Sequence, residues 1–216
     1  RDSCREAGLD RSLLSSYGHD DRVCAYAELE ALFSLDMPEK TAVCILADKE
    51  EIGSVGISGM QSHYFEHFME GLCDAQGVKL SDCFANSFCL SADVSNAFDP
   101  NWPETCDKRN NSQLNYGVAI CKYTGSRGKG GASDASAEAM GHVRSTLDKA
   151  GVIWQIATLG KVDQGGGGTV AAYMANRNIV TVDAGVPVLS MHAPLELVSK
   201  LDCYETMLAC KAIYLA

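Results

Sequence analysis

The chain has 216 residues, of which 46% are apolar and 21% charged, and its formal net charge is −10. This much apolar surface excludes a chain that is disordered throughout. The acidic excess argues against nucleic acid as a partner, because carboxylates repel a phosphate backbone, although some of them could hold cations that a formal charge count omits.

The predicted elements alternate between helices and strands. Helices are predicted where apolar residues recur every three or four positions, over residues 21–35, 60–72, 136–150, 170–176 and 195–215. Strands are predicted from short apolar, β-prone runs, over residues 41–47, 87–92, 116–122, 152–157 and 178–183. We expect Asp20 and Asp21 to serve the N-terminus of the first helix, and Gly151 to end the third. The alternation predicts one α/β domain, a three-layer α/β/α sandwich with a mixed central sheet.

Cysteine usage and hydropathy bear on the compartment. The ten cysteines include no CxxC pair, which argues against a zinc-finger framework. Several lie in apolar runs, such as Cys44 within Ala-Val-Cys-Ile-Leu, as buried reduced thiols do. No apolar stretch approaches the roughly 20 residues of a membrane span. We therefore expect a protein of the reducing cytoplasm without a membrane partner.

Acidic residues and a histidine follow several of the predicted strands. Glu50 and Glu51 come after the first strand, Asp93 after the second and His192 after the fifth, while Asp20 precedes a helix. Ligands of open α/β sheets bind outside the carboxyl ends of the strands, so these side chains can converge. Carboxylate and imidazole ligands suit zinc, cobalt or manganese. Taken singly, each acid is more often a helix cap or a solvated loop residue.

The tandem glutamates carry a further expectation. Adjacent side chains of an extended chain point in opposite directions. One of Glu50 and Glu51 can therefore bind a metal while the other faces a water, which suits hydrolysis. Tandem glutamates are also common on ordinary protein surfaces, so this alternative stays open.

Residues His63-Tyr-Phe-Glu-His67 match the HxxEH pattern of inverted zinc proteases. That pattern puts two histidines on one face of a helix. No third ligand is identifiable nearby in the sequence, and the same helix carries Phe65, Phe68 and Met69. An ordinary amphipathic helix is the alternative interpretation.

A run of four glycines, from residue 165 to residue 168, precedes Thr169 and a predicted helix. Backbone N–H groups in such a run can bind an anion, and glycines let a backbone approach a peptide or a carboxylate closely. The run lacks the Lys-Ser/Thr of a P-loop and the spacing of a dinucleotide fingerprint, so a nucleotide site is not indicated.

Four segments, in order along the chain, resemble motifs of one known family. They are Asp20-Asp-Arg-Val-Cys-Ala-Tyr26, Asp48-Lys-Glu-Glu-Ile-Gly-Ser54, Ser91-Ala-Asp-Val-Ser-Asn-Ala-Phe-Asp-Pro-Asn101 and Leu189-Ser-Met-His-Ala-Pro-Leu-Glu196. Together they are similar to the aspartyl aminopeptidase and aminopeptidase I family of two-metal exopeptidases. The resemblance covers nearly the whole chain and implies a zinc-exopeptidase-like fold.

The resemblance also implies a metallo-aminopeptidase and a role for each matched residue. Asp20 would bridge two divalent metal ions, most commonly Zn²⁺ with Co²⁺ or Mn²⁺ as alternatives. Glu51, Asp93 and His192 would each bind a metal. Glu50 would be the general base for a metal-bridging hydroxide that attacks the first peptide carbonyl.

Substrate and assembly follow from the same resemblance. The family places a glycine-rich loop near its peptide substrate, which here corresponds to Gly167, Gly168 and Thr169. The family also forms homo-oligomers built from dimers, including tetrahedral dodecamers, so a homo-oligomer is expected.

The sequence departs from the family pattern in several places. Phe98-Asp99 stands where many members have a histidine, and the basic glycine-rich loop at residues 125–133 replaces a tyrosine-containing segment. No His-x-Asp segment supplies the remaining histidine ligand, and the dimerisation domain that follows it is absent. We therefore expect residues 1–216 to be the C-terminal portion of a longer catalytic domain.

Two other functions stay open at this stage. Glutamyl or deblocking aminopeptidases share similar Asp-Asp-Arg, Glu-Glu and Met-His elements, although the Glu-Glu-Ile-Gly-Ser form favours the first family. A non-catalytic assembly domain could keep the fold after losing its metals. The intact Asp20, Glu50, Glu51, Asp93 and His192 argue against such a loss.

Overall fold

The computed structural model describes residues 3–127, 130–131 and 133–216. Residues 128, 129 and 132 of the predicted basic loop lie outside the described residues. The helices are α1 His19–Phe33, α2 Tyr64–Gln76, α3 Leu80–Ala85, α4 Ala137–Ala150, α5 Ala171–Ala175 and α6 Lys200–Tyr214. The strands are β1 Arg5–Ala7, β2 Leu13–Ser16, β3 Phe88–Ala92, β4 Ser95–Asn96, β5 Val118–Cys121, β6 Trp154–Ala157, β7 Val180–Gly185, β8 Pro187–Leu189 and β9 Glu196–Ser199.

The strands of the described residues form two mixed sheets. One sheet has four strands in the order β3-β7-β5-β6, and only its β5–β7 pair is antiparallel. The second sheet has the order β1-β2-β9-β8-β4, and its β4–β8 pair is parallel. The mixed α/β class predicted from the sequence is confirmed, with the strands divided between two sheets.

Helices cover both faces of the four-stranded sheet, which produces three layers. Phe88 and Leu90 of β3 pack on the side of α4 and α6, and Cys89 between them packs on the side of α2, α3 and α5. This alternation follows from the two-residue period of a strand. On the first side, Val143 and Leu147 of α4 are almost fully buried, and each such side chain contributes about 1.5–3 kcal/mol.

The helix predicted over 136–150 is confirmed with both of its ends. The Ser136 hydroxyl accepts a hydrogen bond from the Ala139 N–H, which satisfies one of the unpaired donors at the start of α4. Gly151 ends the helix in the left-handed region at φ 70°. The helices predicted over 21–35, 60–72 and 170–176 are present with ends shifted by up to four residues.

The strand predicted over residues 41–47 is wrong. The structure has no regular element there, and the segment pairs with no strand of the described residues. Val43 and Ile45 still pack against the cluster that α2, α3 and α5 form. The apolar pattern therefore identified burial, but a strand also needs a hydrogen-bonded neighbour.

The helix predicted over 195–215 is wrong in its first turn. Residues Glu196–Ser199 form β9, which pairs antiparallel with β2 and β8. The helix α6 begins only at Lys200, where the Ser199 hydroxyl accepts a hydrogen bond from the Leu201 N–H. Strands β1, β2, β4, β8 and β9 have two to four residues each, and none of them is predicted from the sequence.

All ten cysteines are free thiols in the structure, and half of them are buried. Among the described residues, no helix has the length and apolar character needed to cross a bilayer.

Gly185 of β7 allows the chain after β3 to lie directly against it. A Cβ at this position would overlap the carbonyl oxygen of Asp93. We expect Gly185→Ala to lower the free energy of unfolding by about 1–3 kcal/mol, because either β7 or the chain segment at Asp93 must move. Urea denaturation measures this change.

Gly141→Ala is the matched control for Gly185→Ala. Gly141 lies in α4 with no heavy atom within 4 Å of its would-be Cβ, so this variant should gain roughly 0.5–1 kcal/mol from helix propensity. Equal stabilities of the two variants would contradict the close approach of β7 to Asp93.

Candidate metal centre

The two aspartates at the start of α1 do not cap the helix, contrary to prediction. The residue before the helix is Gly18, and the helix start has no side-chain cap. The backbones of Asp20 (φ −76°, ψ 110°) and Asp21 (φ −118°, ψ 34°) depart from helical geometry. This local departure leaves their carboxylates free to take part in two clusters of ligand-type side chains.

The first cluster consists of Asp20, Glu51 and His192. The Nε2 atom of His192 lies 2.8 Å from Asp20 Oδ2 and 3.0 Å from Glu51 Oε1. The side chain of Asp20 is 11% exposed, whereas those of Glu51 and His192 are 59% and 61% exposed. The cluster therefore joins the start of α1 to two loops and opens towards solvent.

The second cluster consists of Asp20, Asp21 and Asp93, with one oxygen of each within 4.8 Å of the others. The Oδ1 atom of Asp21 is buried and has no hydrogen-bond partner among the described residues. Asp20 belongs to both clusters. A carboxylate shared by two adjacent ligand sets is the arrangement expected for two neighbouring cations.

Glu50 and Glu51 lie in a single turn of 3₁₀ helix, Glu50–Ile52, rather than in extended chain as predicted. Successive side chains of such a helix are about a third of a turn apart, so the two carboxylates still diverge. Glu51 reaches His192, while Glu50 is half-buried and near enough to Asp93 to raise the pKa of that residue.

The carboxylates of the two clusters and of Glu50 lie close enough to repel one another. Burial raises the pKa of Asp20, and the Glu51 charge raises it further. Burial also raises the pKa of Glu50 and holds that of Asp93 well above its usual range, with nearby carboxylates adding to both shifts. Cations would relieve this repulsion, and carboxylate and imidazole donors fit divalent ions of the zinc, cobalt or manganese type.

Of the three predicted substrate-binding residues, Thr169 lines a cavity together with Asp93, Cys121 and Asp183. Its hydroxyl donates a hydrogen bond to Asp183 Oδ1 at 2.6 Å. Burial raises the pKa of Asp183 to about 6. The glycine-rich segment therefore ends at the hydrogen-bonded pair of Thr169 and Asp183, which lines the same cavity as Asp93.

Gly167 and Gly168 immediately precede Thr169 in the chain. The Gly167 carbonyl accepts a hydrogen bond from the Gly125 N–H at 2.7 Å. A Cβ on Gly168 would come within 3.0 Å of the Gly131 carbonyl. Gly168 thus permits close packing of the loop that leads to Thr169 against the backbone of Gly131.

Three polar residues of the region were not predicted as site residues from the sequence. Asp21 belongs to the second cluster, Asp183 lines the cavity, and Glu196 hydrogen-bonds the backbones of two cluster members. Asp183 is the last residue of a predicted strand and Asp93 directly follows one, so the end of a strand is a usable signal for both. Glu196 lies inside a predicted helix, although it also ends the fourth segment that resembles the family.

The HxxEH segment forms a different set of contacts. His63 Nδ1 lies 2.5 Å from Glu66 Oε2, and Glu66 Oε1 pairs with Arg177 Nε at 2.7 Å. The His63 side chain is 95% exposed. Within the described part of the chain, neither His63 nor His67 belongs to a three-residue ligand cluster. These contacts favour the ordinary amphipathic helix.

Comparison with known proteins supplies the family. The model of the aminopeptidase I zinc metalloproteases (M18) matches residues 2–214. A relative from Clostridium acetobutylicum, described as a probable M18 family aminopeptidase 1, is 50% identical over 206 residues, or 94% of this chain and 44% of that protein. The chain spans about half the length of the curated relatives it matches.

Solved structures agree with the sequence comparison. An M18-family aminopeptidase from Thermotoga maritima superposes with a TM-score of 0.94 at 45% identity, over 98% of this chain and 48% of that one. The structure of the S. cerevisiae mApe1 dodecamer shares the fold, with a TM-score of 0.78 at 24% identity over 99% of this chain and 50% of that one. This chain therefore belongs to the aminopeptidase I zinc metalloprotease family, M18.

Proposed function

We propose that the protein containing this chain is a two-metal aminopeptidase that removes N-terminal residues from peptides. The observation that carries the proposal is the pair of ligand clusters that share Asp20. Membership of a zinc metalloprotease family supports it. A non-catalytic assembly role would not require this concentration of buried, mutually repelling carboxylates.

The proposed ligands divide between the two clusters. Asp20 would contribute to both metal sites, Glu51 and His192 would hold one metal, and Asp93 would hold the other. Zn²⁺ is the proposed metal, and the same oxygen and nitrogen donors would accept Co²⁺ or Mn²⁺. When bound, a pair of divalent ions supplies Lewis-acid activation of water and of the scissile carbonyl.

Glu50 is the proposed general base. It stands beside the first cluster without belonging to either ligand set among the described residues. From that position its carboxylate accepts the proton of the attacking water and later delivers it to the leaving amine. Glu51, which follows it in the same 3₁₀ turn, is held by His192 instead.

The peptide is proposed to run past Gly167, Gly168 and Thr169. Support comes from the cavity that Thr169 shares with Asp93. Glycines in this loop let the substrate backbone approach closely, and the Asp183 carboxylate fixes the Thr169 hydroxyl. Substrate thus lies beside the carboxylate proposed to hold one metal.

Assembly and compartment complete the proposal. A homo-oligomer is supported by the dodecamer of the yeast protein that shares this fold. A reducing cytoplasm is supported by ten free thiols.

Removal of metal tests this function. The protein, purified at its native length, is stripped with a chelator and assayed on an aminoacyl p-nitroanilide and on the same compound with an acetylated amine. We expect hydrolysis of the free-amine compound to disappear with the metal and to return with Zn²⁺. The melting temperature should rise on re-addition, since the metal binds the folded state.

The acetylated compound is the control for exopeptidase action, and it should stay intact throughout. Unchanged hydrolysis after complete removal of metal, or equal cleavage of the acetylated compound, would contradict the proposed function.

A further inference from the structure

Glu196 occupies an unusual place beside the first cluster. It begins β9 and is 2% exposed. Its Oε2 accepts a hydrogen bond from the backbone N–H of Asp20 at 3.0 Å, and its Oε1 accepts one from the backbone N–H of His192 at 2.8 Å. A single buried carboxylate thus binds the main chains of two residues whose side chains meet at 2.8 Å.

The two hydrogen bonds join residues that are far apart in the sequence. Asp20 is 176 residues from Glu196, while His192 lies four residues before it, in the loop between β8 and β9. Glu196 itself is held in the sheet by pairing with Ser16 of β2. The sheet therefore presents a fixed acceptor that sets how far the Asp20 backbone lies from the His192 backbone.

Asp202 provides a comparison elsewhere in the fold. It is fully buried, and its two oxygens accept hydrogen bonds from the N–H groups of Asn115 and Gly117, both at 2.7 Å. The arrangement is the same as that of Glu196, but the residues it joins belong to neither ligand cluster. Asp202 is therefore a suitable comparison: it is a buried carboxylate that accepts hydrogen bonds from the backbone away from the ligand clusters.

We propose that Glu196 is a positioning residue for the metal centre, which sets the separation of Asp20 and His192 so that their side chains can hold one metal together. The inference rests on the proposed two-metal function. Hydrogen-bond partners of metal-binding residues typically change metal affinity 10- to 100-fold when they are removed. A residue that only stabilised the fold would leave that affinity unchanged.

The test compares Glu196→Gln with Asp202→Asn in the protein at its native length. In each variant an amide nitrogen replaces one acceptor oxygen, so one backbone N–H faces a donor and loses its bond. Metal-free protein is titrated with Co²⁺, and the visible absorption of the bound ion is recorded together with the melting temperature. We expect Glu196→Gln to weaken binding of one Co²⁺ by about 10- to 100-fold and to change its spectrum.

Asp202→Asn should lower the melting temperature while Co²⁺ affinity and spectrum stay as in the unmodified protein. If Glu196→Gln does not fold, Glu196→Asp serves instead, because it keeps the charge but is too short to reach both N–H groups. Wild-type Co²⁺ affinity and spectrum in the folded Glu196 variant would overturn the positioning role while the proposed function stands. Failure of the unmodified protein to bind Co²⁺ would overturn both.

Discussion

Glu50→Gln is expected to lower kcat by about 10²- to 10⁴-fold, the usual contribution of a general base. Glutamine keeps the shape of the side chain but cannot take the proton of the attacking water. Glu50 belongs to neither ligand cluster of the described residues, so the metal content should stay at the level of the unmodified protein. Steady-state hydrolysis of an aminoacyl p-nitroanilide and elemental analysis of the same sample measure the two quantities.

Glu70→Gln is the matched control for this variant. It makes the same chemical change on an exposed position of α2, and its kcat should be unaltered. Near-normal hydrolysis by Glu50→Gln would show that Glu50 is not the general base. Loss of metal together with activity would instead make Glu50 a ligand.

Asp20→Asn is expected to abolish binding of both metals. Its carboxylate is the one group common to the two clusters, and a neutral amide cannot balance two cations. Activity should fall by at least about 10³-fold, since several kcal/mol of Lewis-acid stabilisation is lost. Metal stoichiometry and hydrolysis are measured on the same preparation.

His192→Gln is the comparison for Asp20→Asn, because His192 belongs to the first cluster alone. This variant should keep one metal and lose the other. A second readout needs no metal: Asp20→Asn should melt no lower than the unmodified metal-free protein, because the substitution removes a largely buried charge and relieves its repulsion from Glu51. Retention of two metals by Asp20→Asn would refute the bridging role.

Residues at the ends of strands were the most predictable part of the site. Asp93 directly follows β3, whose apolar run is long enough to be recognised in the sequence, and His192 follows β8 within a motif of the family. The structure brings Asp20, Glu51 and His192 into one cluster and Asp20 and Asp93 into the other. Family motifs supplied the roles, because periodicity alone says nothing about which distant loops meet.

The second sheet could not be predicted, for a physical reason. Strands of two to four residues gain their stability from long-range pairing rather than from local propensity, and Leu197 and Val198 fit a helical pattern equally well. Glu196 therefore seemed to lie on a helix, and its contacts with Asp20 and His192 were missed. Conversely, residues 41–47 have the composition of a strand but no hydrogen-bonded neighbour among the described residues.

The bond between Glu196 and the Asp20 N–H spans 176 residues of sequence, which has a consequence for folding order. Contacts of such high sequence separation form late, because a long loop must be closed before they stabilise anything. The centre is thus completed only when the beginning and the end of the chain have met. A metal held by Asp20 and His192 would link these two parts of the chain, so its binding would stabilise the closed arrangement.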